Sequence, residues 1–270
     1  VTNALQRILT ALVAIPVVLG LAYVGGWPFA LLVLGIALVA QWEVYGLMAK
    51  AGLDPFPVAG LALGGLVGLR PMWPEATLLL GVAVPGLLAL WLFARDARKP
   101  LPALASTLAG VVYPVALLVV LADLRAGTGL GVTDEQAFAL TLTLFVLIWV
   151  TDTAAYVVGK NLGRHPLAPA ISPKKTWEGT LGGVLGALLG AAALKMTLLD
   201  FLAWPHVLAV AVICGGFSQL GDLFESGLKR SVQVKDSGTF LPGHGGLLDR
   251  FDAMIFAAPL VYVYLRLVAG

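Results

Sequence analysis

The stretch "DLFESGLKRSVQVKDSGTFLPGHGGLLDRFD", residues 222–252, crowds Asp222, Glu225, Lys229, Arg230, Lys235, Asp236, His244, Asp249, Arg250 and Asp252 into a chain that is otherwise poor in charge. Carboxylates beside lysine and arginine are the groups a metal–phosphate centre uses. Mg²⁺ takes one or two carboxylates plus substrate phosphate oxygens, and basic side chains offset the charge that develops as phosphate bonds exchange. On a helix starting near Asp222, the spacing puts Asp222, Glu225, Ser226, Lys229 and Gln233 on one face. That predicts an amphipathic helix with both signs of charge on one stripe. The following "SGTFLPGHGG" holds too much glycine and proline to stay helical. Asp249 and Asp252 then open the last apolar run, where carboxylates suit the positive end of a helix. The plainer alternative is a surface-lying helix whose charges pair among themselves.

Two further stretches carry polar groups. In "WVTDTAAYVVGK", 149–160, Asp152 lies inside an apolar run, where a carboxylate needs a partner, water or a cation. It is a third candidate metal ligand, or a structural partner for a buried base. In "GRHPLAPAISPKKTWEGT", 163–180, the prolines at 166, 169 and 173 rule out a continuous helix. Ser172, Lys174, Lys175 and Thr176 there precede a glycine-rich helix. Hydroxyls and lysines at a helix start suit a polyphosphate, and equally a basic loop lying on anionic lipid. The P-loop pattern is absent.

These groups need a scaffold, and the composition says which kind. Of 270 residues, 59% are hydrophobic and 12% charged, against roughly 25% charged in soluble domains. Such a chain cannot cover itself with polar surface, which points to an all-α, polytopic integral membrane protein. Nine apolar segments are expected as spans: 8–24, 28–48, 57–69, 76–94, 102–122, 137–159, 179–199, 204–221 and 251–268. The runs are continuous rather than alternating, so helices are expected and strands are not. The first reads as a span rather than a cleavable leader. Cys214, the single cysteine, allows no internal disulfide and sits in an apolar run as packing.

With the N-terminus in the cytoplasm, Arg7, Lys50, Arg95, Arg98, Lys99, Lys160, Arg164, Lys174, Lys175, Lys229, Arg230, Lys235 and Arg250 fall inside. Arg70, Arg125, Lys195 and Arg266 fall outside, together with the C-terminus. That asymmetry follows the positive-inside rule and puts every charged motif on the cytoplasmic side. Glycines at 60, 64 and 68, and at 182, 186 and 190, form small-residue faces for packing within the chain or between subunits. The whole chain, 1–270, is expected as one membrane domain, with apolar helices in 1–135 and the motifs in 136–270.

The run 226–252 resembles the signature of the phosphatidate cytidylyltransferase (CDP-diacylglycerol synthase) family. Its elements are Ser226, Lys229-Arg230, Lys235-Asp236, His244-Gly245-Gly246 and Asp249-Arg250-x-Asp252. "SPKKTWEG" and "TDTAAYVVGK" resemble further family elements in the same order, with Ala154 where glycine is common. The resemblance covers the chain from about 145 on; the earlier part is similar only as apolar spans. It implies that CTP and phosphatidate give CDP-diacylglycerol and pyrophosphate, with Mg²⁺, a second cation being compatible. It also implies a helical membrane fold that is often a homodimer. Asp222 and Asp249 are then the expected metal ligands, with Asp152 weaker. Lys229, Arg230, Lys235 and Arg250 are expected on phosphates, and Ser172, Lys174, Lys175 and Thr176 on CTP. His244 orients a phosphate or orders its loop, while Asp236 and Asp252 orient basic neighbours. CTP, phosphatidate and membrane lipid are the expected partners, nucleic acid is not, and a bacterial inner membrane is the expected location. A cation-coupled transporter and a CTP-dependent lipid kinase are the rival readings. The first predicts charge at mid-membrane rather than at helix ends.

Overall fold

Hydrocarbon offers no hydrogen bonds, so a chain crossing it turns its backbone bonds inward as helix. The computed structural model is accordingly helical through most of its length. It describes residues 3–92, 100–240 and 245–269. Arg95, Arg98, Lys99 and His244 lie outside the described residues. The helices are α1 (Asn3–Val24), α2 (Gly26–Lys50), α3 (Pro57–Gly68), α4 (Leu80–Leu92), α5 (Pro100–Gly110), α6 (Val120–Arg125), α7 (Asp134–Leu162), α8 (Trp177–Lys195), α9 (Trp204–Ser231) and α10 (Leu248–Tyr264). α5 and α6 belong to one apolar helix, Leu101–Arg125. It loosens to π geometry over Val111–Ala116 around Pro114, whose nitrogen has no hydrogen to donate.

Among the described residues six helices are long and apolar enough to cross a membrane: Gly26–Lys50, Leu101–Arg125, Asp134–Leu162, Trp177–Lys195, Trp204–Ser231 and Leu248–Val268. Of the other three expected spans, 8–24 lies within α1, 57–69 forms the short α3, and 76–94 is described as far as Leu92, in a 3-10 turn and α4. Twelve residues of α3 rise only about 18 Å, short of a hydrocarbon core of about 30 Å. Two local expectations also change. The charged stretch from Asp222 is no separate helix. It is the end of α9, whose 28 residues rise about 42 Å and so carry its last turns beyond the hydrocarbon. The charged stripe also ends earlier than expected, because α9 stops at Ser231 and Gln233 takes a left-handed φ of 57°. Among the described residues strands do occur, in one small hairpin: β1 (Pro166–Ala168) pairs antiparallel with β2 (Ser172–Thr176). Its prolines forbid helix but tolerate extended backbone.

The chain forms two compact units, Val1–Ala122 with Ser231–Arg250, and Asp123–Arg230 with Phe251–Gly270. In the first unit, α2 is pinned to α3 and α5 by polar groups. Gln41 Nε2 donates to the Tyr45 hydroxyl and to the Gly60 carbonyl, both at 2.8 Å. The Tyr45 hydroxyl donates to the Thr107 carbonyl at 2.7 Å. Lipid tails are as apolar as leucine, so helix association in a membrane depends on such bonds and on close packing. The glycines supply the room. A Cβ at Gly60 or Gly110 would enter the Tyr45 ring, and one at Gly64 would enter the Gln41 amide.

In the second unit α7 and α8 run antiparallel along each other. Gly179 of α8 lies against Gly159, Gly182 against Val158, Gly186 against Ala154 and Gly190 against Leu147. The glycine faces seen in the sequence therefore serve packing within the chain. α9 joins this pair where Gly215 meets the backbone of Val184, a Cβ there lying 2.8 Å from its Cα.

A sharp test lies in two adjacent positions of α3. Gly64→Ala should cost about 1–3 kcal/mol through overpacking against the pinned Gln41 amide. Gly65, where an added Cβ meets nothing within 4 Å, should accept alanine at no cost or with a gain. Thermal unfolding of the detergent-solubilised variants measures the contrast; equal melting temperatures would show that the α2–α3 approach is looser than described.

Candidate active site

One end of the second unit collects the ends of α7, α8 and α9, the start of α10 and the hairpin. Lys175 on β2 reaches Asp222 on α9, Nζ to Oδ2 at 2.7 Å. Ser226, one turn on, donates to Asp222 Oδ1 at 3.3 Å. The Asp222 charge acts on Asp152 of α7 and on Asp252 of α10, and the Asp152 charge acts on Asp252. Lys175 offsets Asp152, and Lys229 offsets Asp252. Gly221 makes this approach feasible, because any side chain there would collide with the Asp252 backbone carbonyl. Asp152 is exposed, whereas Asp252 is only 9% exposed and takes its own neighbour's N–H, that of Ala253, at 2.7 Å. Three carboxylates from three helices thus share one electrostatic environment with two lysines.

The basic residues at this end differ in exposure. Lys229 pairs with Glu225 at 2.6 Å, and Glu225 is 1% exposed, so this ion pair is withdrawn from water. Arg230 and Lys174 are exposed, as is Lys160 at the end of α7. At the opposite end of the unit the bases are tied down. Arg125 forks onto Asp134 at 2.6 and 3.3 Å, Lys195 donates to the carbonyls of Leu199 and Asp200, and Arg266 donates to the Tyr262 hydroxyl.

The start of α8 is closed by the protein's own groups. Thr176 Oγ1 caps the helix by accepting from Gly179 N at 3.1 Å. Trp177 N donates to the His165 carbonyl. Glu178 accepts from Arg164 N and His165 N and meets His165 Nδ1 at 2.5 Å, which ties the hairpin to the helix. Two amides at this helix start, those of Trp177 and Gly179, are therefore already used. Ser172 is half-buried on β2.

Asp249 belongs to the first unit, where its Oδ2 accepts from Ser237 N at 3.1 Å and Gly246 N at 2.8 Å and lies 3.0 Å from Ser237 Oγ. Lys235, Asp236 and Arg250 are exposed around it. Gly245 turns with φ +81°, and a Cβ there would stand 2.9 Å from Asp249 Oδ2. A residue from the first apolar half joins this cluster: Glu43 on α2, 6% exposed, accepts from Leu247 N, Leu248 N and Ser237 Oγ. The sequence reading passed over it, although a glutamate within "ALVAQWEVYGL" carries the same signal as Asp152, a charge inside an apolar span. Among the described residues no three of His, Cys, Asp and Glu converge as a ready-made metal cage.

The model of the cytidylyltransferase family matches residues 5–268. The chain belongs to that family. A phosphatidate cytidylyltransferase of Bacillus subtilis is 35% identical over 97% of this chain and 97% of its own length. One from Staphylococcus epidermidis is 34% identical over 96% of this chain and 98% of its own. A phosphatidate cytidylyltransferase of Staphylococcus aureus is 46% identical over 49% of this chain and 51% of its own. The family likeness thus extends to the early apolar helices, where the sequence alone showed only hydrophobic spans, and it includes the helix that carries Glu43.

For this family member, Thr176 separates a structural from a ligand role. Thr176→Val keeps volume and removes the cap, so stability should fall by about 1 kcal/mol, while Thr176→Ser stays near wild type. Thermal melts beside equilibrium CTP binding decide it: lost CTP affinity with an unchanged melting temperature would make Thr176 a nucleotide contact instead.

Proposed function

We propose that the protein is a phosphatidate cytidylyltransferase, joining CTP and phosphatidate to give CDP-diacylglycerol and pyrophosphate. The observation that carries this is the match over nearly the whole chain to proteins of that name. The phosphate oxygen of phosphatidate attacks the α-phosphorus of CTP, a new P–O bond forms, and the bond to pyrophosphate breaks. The attacking oxygen is already ionised at neutral pH, so no strong base is needed. The difficulty is an anion approaching an anion, and positioning with charge neutralisation is the remedy.

The exposed bases fit that task. Lys174 and Ser172 on β2 face the triphosphate. Lys175 offsets Asp222 until substrate arrives and then takes a share of phosphate charge. Arg230, at the end of α9, meets the lipid phosphate, with Lys235 and Arg250 as further phosphate contacts. Lys229 acts chiefly on Glu225 and Asp252. Carboxylate oxygens are the hard donors that Mg²⁺ prefers, and the loose grouping of Asp152, Asp222 and Asp252 suits an ion that takes one or two carboxylates and completes its shell with substrate phosphates. Asp222 leads this set; Asp249 as a companion ligand rests on the family resemblance, since the bonds to its Oδ2 hold a loop. Bound there, Mg²⁺ would supply neutralisation of the triphosphate charge.

The charged end of the second unit is assigned to the cytoplasm and the far end of α10 to the opposite side, in a bacterial inner membrane. Supporting this, the exposed bases gather at the hairpin end, as the positive-inside rule requires. Cysteine labelling on a Cys214→Ala background should reach position 165 from the cytoplasm and position 129 from outside. Labelling of 165 from outside would reverse the orientation and part the site from cytosolic CTP.

Labelled CTP tests the reaction. Cytidine label in lipid is the expected result; γ-phosphate label in lipid would make the protein a lipid kinase, and neither label in lipid would revive transport. Asp222→Asn keeps the shape and removes the charge, and turnover should fall at least about 100-fold. Near-normal turnover in that variant would remove Asp222 from the site.

A further inference from the structure

The start of α10 lacks a local cap. In "HGGLLDRFD" the residue before the helix is Leu247, whose carbonyl accepts from Arg250 N but whose side chain has no oxygen for the first amides. Glu43, 205 residues from Leu248 in sequence, supplies one from another helix. Its Oε1 accepts from Leu247 N at 3.1 Å and its Oε2 from Leu248 N at 2.8 Å. Oε2 also accepts from Ser237 Oγ at 3.1 Å, and the same hydroxyl lies 3.0 Å from Asp249 Oδ2. Ser237 is therefore gripped between two carboxylates, one from α2 and one from α10 itself.

The glycines of this segment are shaped around that carboxylate. A Cβ at Gly238 would run into the Glu43 side chain. A Cβ at Gly246 would lie 2.5 Å from Glu43 Oε2 and would also strike Ser237 Oγ. Gly246 N, in turn, donates to Asp249. The "DSG" and "HGG" elements thus make room for a residue nearly two hundred positions upstream. Asp249 and Arg250 sit on the turn this contact holds, and Lys235 and Asp236 immediately precede Ser237.

We propose that Glu43 is a positioning residue for the transfer: it caps α10 and seats Ser237, and so holds Asp249 and Arg250 in the orientation that the reaction requires. This rests on the cytidylyltransferase reading above. Glu43 itself touches neither substrate. Placement errors of about 1 Å cost about 100-fold in rate, so a helix start whose first amides are met by one distant carboxylate is a sensitive point.

The test joins a kinetic and a structural readout on purified, lipid-supplemented protein. Glu43→Gln keeps the shape but turns an amide NH₂ toward groups that are already donors. Turnover should fall about 10- to 100-fold, with the KM for CTP changed less than about threefold. Hydrogen exchange of the peptide covering 245–251 should quicken about tenfold or more without substrate, while peptides of α7 and α8 stay unchanged. Gly246→Ala, which pushes on the same carboxylate, should reproduce both effects and add little in the Glu43→Gln background, because interacting sites are not additive. If Glu43→Gln does not fold, Gly246→Ala alone carries the test with the same expected results. Quickened exchange with normal turnover would overturn the proposal and leave Glu43 as a helix cap alone. Unchanged exchange, or a raised KM for CTP at normal turnover, would also overturn it. If wild type forms no CDP-diacylglycerol, the reading beneath the proposal falls and the proposal with it; the exchange data distinguish that case, because they report the Glu43 contact without any substrate.

Discussion

A carboxylate that leaves water must be met by cations or by N–H and O–H donors, or it costs several kcal/mol. Much of this architecture follows from how that demand is met. Asp222 is met by Lys175 from the hairpin and by Ser226. Glu225 is met by Lys229 one turn further along its own helix. Glu43 and Asp249 are met by backbone amides and by one shared serine hydroxyl. The Lys175–Asp222 pair and the bonds to Glu43 bring together segments that are distant in sequence, and they therefore work as tertiary constraints as well as neutralisation. Breaking such a set by deleting one partner leaves the other stranded, which is more damaging than the bond's own worth.

Glycine is the complement of this scheme. Lipid does not drive helices together by hydrophobicity, so they must approach closely enough for dispersion and hydrogen bonds to act. In the first unit, Gly60, Gly64 and Gly110 leave the volume that Tyr45 and Gln41 fill. In the second, the glycines of α8 let α7 lie along it, and Gly221 lets α9 reach the backbone of α10 beside Asp252. The loop glycines do the same for Glu43 and Asp249. Space for a polar group and space for a helix are the same device used at two scales.

The two ends of the second unit show why position in the membrane is not the only influence on its charges. At the far end Arg125, Lys195 and Arg266 are committed to a carboxylate, to helix-end carbonyls and to a tyrosine. At the hairpin end Lys174 and Arg230 are exposed to solvent, on the end of the unit that also carries Asp152, Asp222 and Asp252. Under the proposed function that imbalance is useful. Two anionic substrates must be brought into contact, and bases that face solvent are within their reach.

The sequence by itself determined the membrane class, the helical character and the family, because composition and a dense signature such as Lys229-Arg230, Lys235-Asp236 and Asp249-Arg250-x-Asp252 need no geometry to be read. It also marked Asp152 and Asp222 as carboxylates to be reckoned with. The number of long helices was less legible: a hydropathy run records how apolar a segment is, and only the backbone shows that α3 is too short or that α9 continues through Asp222. The tertiary structure alone decided the partners. Lys175 and Asp222 are 47 positions apart, and Glu43 stands nearly two hundred from Ser237. Nothing local in either segment announces the other, because a buried charge is satisfied by whatever donor the folded chain brings to it, and that is a property of packing rather than of spacing.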